Sequence, residues 1–373
     1  MINKVPIATP CLDGNELEYV KDCVISSWIS SKGKYVKTFE EKFAEYAEAK
    51  YGITVSNGTV AIHLALASLG IGPGDEVILP TFTMIAAANA VRYVGAKIIL
   101  VDSEPITWNI DPTEVEKKIT KKTKAIIVVH LYGHPANMDQ IMKIAQEYNL
   151  YVIEDAAEAH GAKYKGRKVG AIGNIGCFSF YANKIITTGE GGMVVTNEER
   201  IANKVRKLSD QAYNSERRKW LIHDEIGYNY RMTNVQAAIG LAQLERIDSF
   251  IKIHRENANF YNSLLRGIPG ITLPPDEVWA KNVYWMYTIL LNEKETGLTR
   301  DNLMVELEKW GVDSRSTFYP IHLQPPYKNE SEEKYPVAEN LSRTGINLPS
   351  GNTTTKEQVK YVANSIKSLL RER

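Results

Sequence analysis

The segment FSFYANKIITTGEGG, residues 178–192, places one lysine, Lys184, just past an apolar run that reads as a buried strand. Lysine ordinarily sits on wet surfaces. Carried past a strand end into a partly desolvated pocket, its amine loses charge more readily and becomes a nucleophile for carbonyl carbon. Ser179 lies close enough in the chain to bring a hydroxyl to the same pocket. Upstream, VIEDAAEAHGA (152–162) sets Glu154, Asp155 and Glu158 at the carboxyl end of a buried strand, the edge where ligands of open α/β sheets gather. Such acids can cap the next helix, bind a metal or hold a cationic ring. No matching metal ligands stand nearby, so the ring is the sharper functional reading. Further upstream, SNGT (56–59) is a polar turn running straight into an apolar helix. Free amides and the helix dipole there favour a phosphate, although the same residue types also simply cap helices. A phosphate turn, an acid for a pyridinium nitrogen and a lysine for an aldehyde, in this chain order, together describe pyridoxal phosphate.

The elements that must position these groups follow from the hydrophobic pattern. Between about residues 50 and 200, short apolar runs (DEVILP, KIILVD, KAIIVVHLYG, LYVIEDAA, GCFSFY and GGMVVT) alternate with helical stretches at 58–70, 83–95 and 138–149. Continuous apolar strands separated by helices imply a large, mostly parallel sheet covered on both faces. From Asn229 to Leu265 the apolar residues keep helical spacing for some thirty positions, long enough to bridge two domains. Beyond GIPGITLPP the pattern is mixed: strand-like 283–291, helix-like 300–311 and a final helix from about 355. The expected organisation is a large α/β domain over 1–250 and a smaller C-terminal α+β domain over 251–373.

Composition narrows the function. With 373 residues, 44% hydrophobic and 24% charged, the chain is an ordinary globular protein by composition. Its net charge of +1 argues against a nucleic-acid partner. No run approaches the roughly 20 apolar residues of a membrane helix, and MINKVPIATPCLDG lacks a charged-then-apolar leader pattern. Three unpatterned cysteines fit neither a disulfide framework nor a zinc site, so a cytoplasmic location is expected. GIGPGDEV (70–77) is a turn rather than a dinucleotide fingerprint, because its glycines follow a helix and precede a strand. HLYGH (130–134) spaces two histidines for zinc on a helix, but Gly133 and Pro135 break any helix there.

The blocks SNGTVAIHLAL, VILPTFTMIAAANAV, VIEDAAEAHGA, CFSFYANKIITTGEGG, GYNYRMTNVQAAIG and FYPIHLQPPY, in order between residues 56 and 327, resemble the DegT/DnrJ/EryC1/StrS nucleotide-sugar aminotransferases. The resemblance implies a fold-type-I architecture, a homodimer with shared active sites, L-glutamate as amino donor and a nucleotide-linked keto sugar as acceptor. Lys184 would bond to the cofactor aldehyde and later move the proton between substrate carbon and cofactor. Asp155 would pair with the pyridine nitrogen, and Glu158 would sit by the ring hydroxyl, where many relatives have glutamine. Gly58, Thr59 and Ser179 would bind the phosphate, and Asn229 would reach it from the neighbouring subunit. Arg231, Arg315, Tyr319 and His322 fall in segments that line the substrate cleft of such enzymes. Met84 takes the ring-stacking position, which is often aromatic in relatives; a thioether also packs on a ring. NKIITTGEGG and TWNIDP (107–112) are most similar to the branch that makes GDP-perosamine from GDP-4-keto-6-deoxy-D-mannose, with UDP- or dTDP-linked keto sugars as the alternative. Sugar dehydratases on this fold carry histidine in place of the lysine, which Lys184 argues against. A non-catalytic cofactor-binding regulator and a nicotinamide oxidoreductase are the rivals from other classes. The retained catalytic residues oppose the first, and the missing fingerprint opposes the second.

Overall fold

The computed structural model describes residues 4–214, 220–330 and 332–371. Seven strands form the large sheet: β1 (Tyr51–Val55), β2 (Glu76–Pro80), β3 (Lys97–Val101), β4 (Thr123–Val129), β5 (Tyr151–Asp155), β6 (Ile175–Ser179) and β7 (Gly192–Thr196), in the order β1-β7-β6-β5-β4-β2-β3. The pairs β2–β3, β2–β4, β4–β5 and β5–β6 are parallel, whereas β7 runs antiparallel to both β6 and β1. The reason lies in the connections. Parallel neighbours need a long crossover, usually a helix, and the helices Gly58–Ser68, Ala86–Tyr93 and Met138–Tyr148 lie between strands as such connections require. Residues 180–191 between β6 and β7 hold no helix, so the chain turns back beside the strand it has just left. β1 through β6 therefore end at one edge of the sheet, and the segment carrying Lys184 folds over that same edge.

The strands' core positions are almost fully apolar and buried, including Ile78, Leu79, Ile126, Ile127, Val152 and Ile153. The second half builds a four-stranded antiparallel sheet from Ile271–Thr272, Tyr287–Leu291, Gly345–Leu348 and Arg315–Ser316, in that spatial order. Its own cluster of buried side chains includes Tyr261, Tyr287, Leu303, Ile346, Val362 and Ile366. A three-stranded sheet of Ala280–Lys281, Lys163–Tyr164 and Arg167–Lys168 joins the two halves. No helix among the described residues is long and apolar enough to cross a membrane.

Three local expectations change. The stretch read as a single bridging helix is two helices, Asn234–Leu244 and Ile247–Leu265, broken at Glu245 and Arg246. The break lets the first pack on the helices Glu16–Ile25 and Lys34–Tyr46 while the second reaches the final helix, Lys356–Arg371. The strand expected from 283 begins at Tyr287, because Tyr284 takes a positive φ of 49° and the Val283 amide bonds to the Gly133 carbonyl. β1 was not singled out by the pattern. Gly52 interrupts its apolar run, and a Cβ there would come 2.6 Å from the Glu40 carbonyl.

Candidate active site

A cleft of about 860 Å³ opens at the carboxyl edge of the large sheet. Gly58 and Thr59 enter it from the turn after β1, Met84 from beyond β2, Asp155 and Glu158 from the end of β5, Ser179 from the end of β6, and Lys184 from the β6–β7 connection. Arg315 closes it from the second half. The sheet edge thus collects residues far apart in sequence.

Local geometry explains each placement. The Asn57 side chain accepts from the Val60 amide and starts the helix, leaving the Gly58 and Thr59 amides without intrahelical acceptors. A Cβ on Gly58 would lie 2.8 Å from that of Ser179, so glycine is what allows the helix to abut β6. Glu154 and Asp155 are neighbours on a strand and face opposite sides. Glu154 accepts from the Gly170, Ile172 and Gly173 amides and from His130 Nε2 at 3.0 Å. His130 Nδ1 accepts from the Ala136 amide, which fixes the proton on Nε2. Glu154 is therefore a structural anchor, and the two other acids face the cleft.

The electrostatics centre on Lys184. Its Nζ lies 3.7 Å from the centroid of the Trp285 ring. Burial lowers its pKa, opposed by the charges of Glu158 and Asp155. Burial also raises the Asp155 carboxyl above its ordinary value, against the pull of the Ala157 amide and Lys184. Glu158, whose carboxylate accepts from the Tyr132 amide at 2.8 Å, is pushed up to about 7 by burial, with Lys184 and that amide acting the other way. Two buried acids and one half-buried amine line the same cleft, and their charges are interdependent. The donor set fits pyridoxal phosphate: free amides and a hydroxyl at one end, an acid with a single neutral donor at the other, and a partly desolvated amine.

Several contributors carried no sequence signal. The Trp285 indole N–H donates to the Asn183 carbonyl at 2.7 Å, and the Asn352 carboxamide donates to the Ile185 carbonyl at 2.9 Å. The carbonyls on either side of Lys184 are thus both held by side chains from the second half. Tyr132 is the acid's clamp: its ring stacks on Phe318 at 5.3 Å, and its hydroxyl accepts from the Phe318 amide.

Four sequence-designated residues lie outside the lining of this cleft. His322 is buried, with Nδ1 2.7 Å from the Thr81 hydroxyl and Nε2 3.3 Å from Glu339, so it ties its segment to the end of β2. Tyr319 is 54% exposed. Arg231 pairs with Asp210 and donates to the Asn229 side chain at 2.6 Å. Of the two HLYGH histidines, His130 serves Glu154 as above, and His134 Nδ1 bonds to the Pro135 carbonyl. No group of three potential metal ligands is assembled among the described residues.

Comparison with known proteins places this geometry. Residues 10–367 match the model of the DegT/DnrJ/EryC1/StrS aminotransferase family. A protein of Escherichia coli O157:H7 named GDP-perosamine synthase is 50% identical over 97% of this chain and 97% of its own. A protein of the same name from Caulobacter vibrioides is 45% identical over 98% of each chain. The solved structure of DesV from S. venezuelae superposes with a TM-score of 0.90 at 35% identity, covering 96% of this chain and 95% of that one. The chain belongs to the DegT/DnrJ/EryC1/StrS family of pyridoxal-phosphate-dependent aminotransferases.

Proposed function

We propose that the protein transfers an amino group from L-glutamate to carbon 4 of GDP-4-keto-6-deoxy-D-mannose, giving GDP-perosamine. The observation that carries the reading is the Lys184 amine, partly desolvated at the sheet edge beside Asp155 and Glu158. The GDP-perosamine synthases at 50% and 45% identity support the choice of substrate.

In this reading the Gly58 and Thr59 amides and the Ser179 hydroxyl hold the cofactor phosphate. Asp155 pairs with the ring nitrogen, Glu158 sits by the ring hydroxyl, and Met84 packs against the ring. Pyridoxal phosphate, when bound, supplies an aldehyde that accepts the amino group and a ring that withdraws electrons from the reacting carbon. Lys184 removes the proton from the α-carbon of glutamate and, in the second half of the reaction, delivers one to sugar carbon 4. A lowered pKa keeps part of the amine neutral and able to act as base. Trp285 offers its ring face to the amine whenever that amine is cationic. Asp155 stabilises positive charge on the ring nitrogen, and its own burial strengthens that pairing. Arg315 is the cleft's cation for the diphosphate of the nucleotide, suited to bidentate contact.

Asn229 and Arg231, outside the cleft of their own chain, serve the cleft of a second copy in a homodimer. Tyr319 and His322 shape the segment that carries Arg315 toward the diphosphate. The division into 1–250 and 251–373 is supported by the separate cluster of buried side chains in the second half. The enzyme works in the cytoplasm. A panel of GDP-, UDP- and dTDP-linked keto sugars, incubated with holoenzyme and glutamate and read by mass spectrometry, tests the substrate. Amination of a UDP- or dTDP-linked sugar at least about tenfold more efficiently than the GDP-linked one, roughly 1.4 kcal/mol in transition-state binding, would overturn GDP while leaving the aminotransferase.

A further inference from the structure

Away from the cleft, the three-stranded sheet places like charges directly opposite one another. Lys281 pairs with Lys163 and Lys163 with Lys168, so three lysines stand in one row across three antiparallel strands. Residues paired in this way share a face, and like charges opposed across strands are destabilising. None of the three has a carboxylate within ion-pair distance among the described residues; elsewhere, Lys165 in the adjoining turn pairs with Asp139 at 2.5 Å. The Lys168 amine instead donates to the Tyr46 carbonyl and lies 3.3 Å from the centroid of the Tyr46 ring. Glu48 is nearby, but its carboxylate accepts from the Lys168 backbone amide.

The row is not on a flat surface. The three amines line a concavity of about 530 Å³, with Lys252 and Arg255 of the helix Ile247–Leu265 on its far wall. Asp248 and Glu256 are the acids there. Asp248 accepts from the Tyr46 hydroxyl at 3.1 Å, and Glu256 faces Lys252 at 3.8 Å. The basin therefore holds five cations against two carboxylates, and it shares no lining residue with the catalytic cleft. Burial lowers the Lys168 pKa, and Lys163 and Lys281 push the same way against Glu48 and Asp248.

We propose that this basin is a binding site for a di- or triphosphate group, with the Lys281–Lys163–Lys168 row as its floor and Arg255 as its wall. A chain of phosphates supplies several negative charges in one extended group and converts the repulsion of the row into attraction. Lysine ammoniums suit such a ligand as compact point charges with several donors. The volume far exceeds that of a single phosphate, which is why a chain of phosphates is favoured over one oxyanion.

The test is titration calorimetry on the pyridoxal-phosphate-loaded enzyme at fixed ionic strength, with inorganic tripolyphosphate, GTP and ATP as probes and sulfate as control. Wild type and Arg315→Ala should bind tripolyphosphate saturably and alike. Lys163→Gln/Lys281→Gln should bind at least tenfold more weakly, with unchanged sugar-amination rate and unchanged circular dichroism. The single variant Lys281→Gln, at an exposed position, should weaken binding in the same direction and tests the site if the double variant folds poorly. Equal affinity for the three probes identifies a bare phosphate chain; tighter GTP or ATP that is kept in Arg315→Ala and weakened in the lysine variants identifies a nucleotide, and both support the site, whereas nucleotide binding lost only in Arg315→Ala belongs to the cleft and would overturn it. Absence of saturable binding, equal response to sulfate, undiminished affinity in the lysine variants, or loss of binding in Arg315→Ala would each overturn it.

Discussion

The catalytic cleft and the lysine basin use the same residue type to opposite ends. In the cleft, Lys184 and Arg315 are the lining cations, and they stand among Asp155, Glu158 and Glu190. Lys184 lies with the carboxyls of Asp155 and Glu158 in a desolvated pocket, so the protonation of each of these three depends on the others. In the basin, Lys163, Lys168 and Lys281 are ranked side by side with no carboxylate between them. One arrangement tunes a single amine for chemistry, and the other accumulates charge for recognition. What separates them is burial and the order of charges, not the number of lysines.

The largest effect should come from removing the cleft's amine. Lys184→Ala should lower the rate of the glutamate half-reaction by at least about 10²- to 10⁴-fold, the range of general acid–base contributions, measured by stopped-flow absorbance. No single lysine of the basin should do this. Turnover at the wild-type rate would erase the distinction between the two regions.

Asp155→Ala should be next. A hydrogen bond to a charged group contributes about 1.5–3 kcal/mol, so the rate should fall roughly 10- to 150-fold in rapid mixing with glutamate. An unchanged rate would reduce Asp155 to a turn acceptor, held by the Ala157 amide alone.

The coupling in the cleft also predicts a pH dependence of stability in the cofactor-free protein. Glu158 titrates at about 7 in the folded chain against an ordinary 4.5, raised by burial. The folded state then binds more protons than the unfolded state across that window, so stability falls as pH rises through it. Glu158→Gln should remove this loss and gain about 1–3 kcal/mol at pH 8, with little difference at pH 4. Thermal unfolding of both proteins at several pH values checks it, and parallel curves would refute the buried, protonated acid.

The smallest effect belongs to the basin. Lys281→Gln, measured without phosphates, should stabilise the fold by about 0.2–1 kcal/mol by removing one opposed pair. A loss of stability in denaturant titration would show that the row is not under repulsion.

Much of the cleft was legible because its chemistry sits in short blocks at strand ends. SNGT, EDAAE and the segment around Lys184 each bring a distinctive residue to the carboxyl edge, and strand periodicity alone brings those edges together. Glu154 and Asp155 show where that reading stops. Adjacent acids look alike in sequence, and only the pleat sends one to the Gly170–Gly173 amides and the other to the cleft. Trp285 and Asn352 were invisible for a different reason: their targets are backbone carbonyls, which every residue has. The break at Glu245–Arg246 was likewise hidden, since no proline or glycine marks it. The lysine row depends on strand pairing between residues more than a hundred positions apart, which periodicity cannot supply.

The two anchors on the Lys184 segment also bear on how the protein is made. Trp285 holds the Asn183 carbonyl and Asn352 the Ile185 carbonyl, and both emerge from the ribosome long after the sheet that bears the lysine. Domains fold as the chain is synthesised, the earlier parts first. A nascent sheet can pack its strands while the reactive segment still lacks its outer supports. The amine is therefore seated only once nearly the whole polypeptide has been made, and a chain truncated before Asn352 would present a completed sheet with an unfinished catalytic centre.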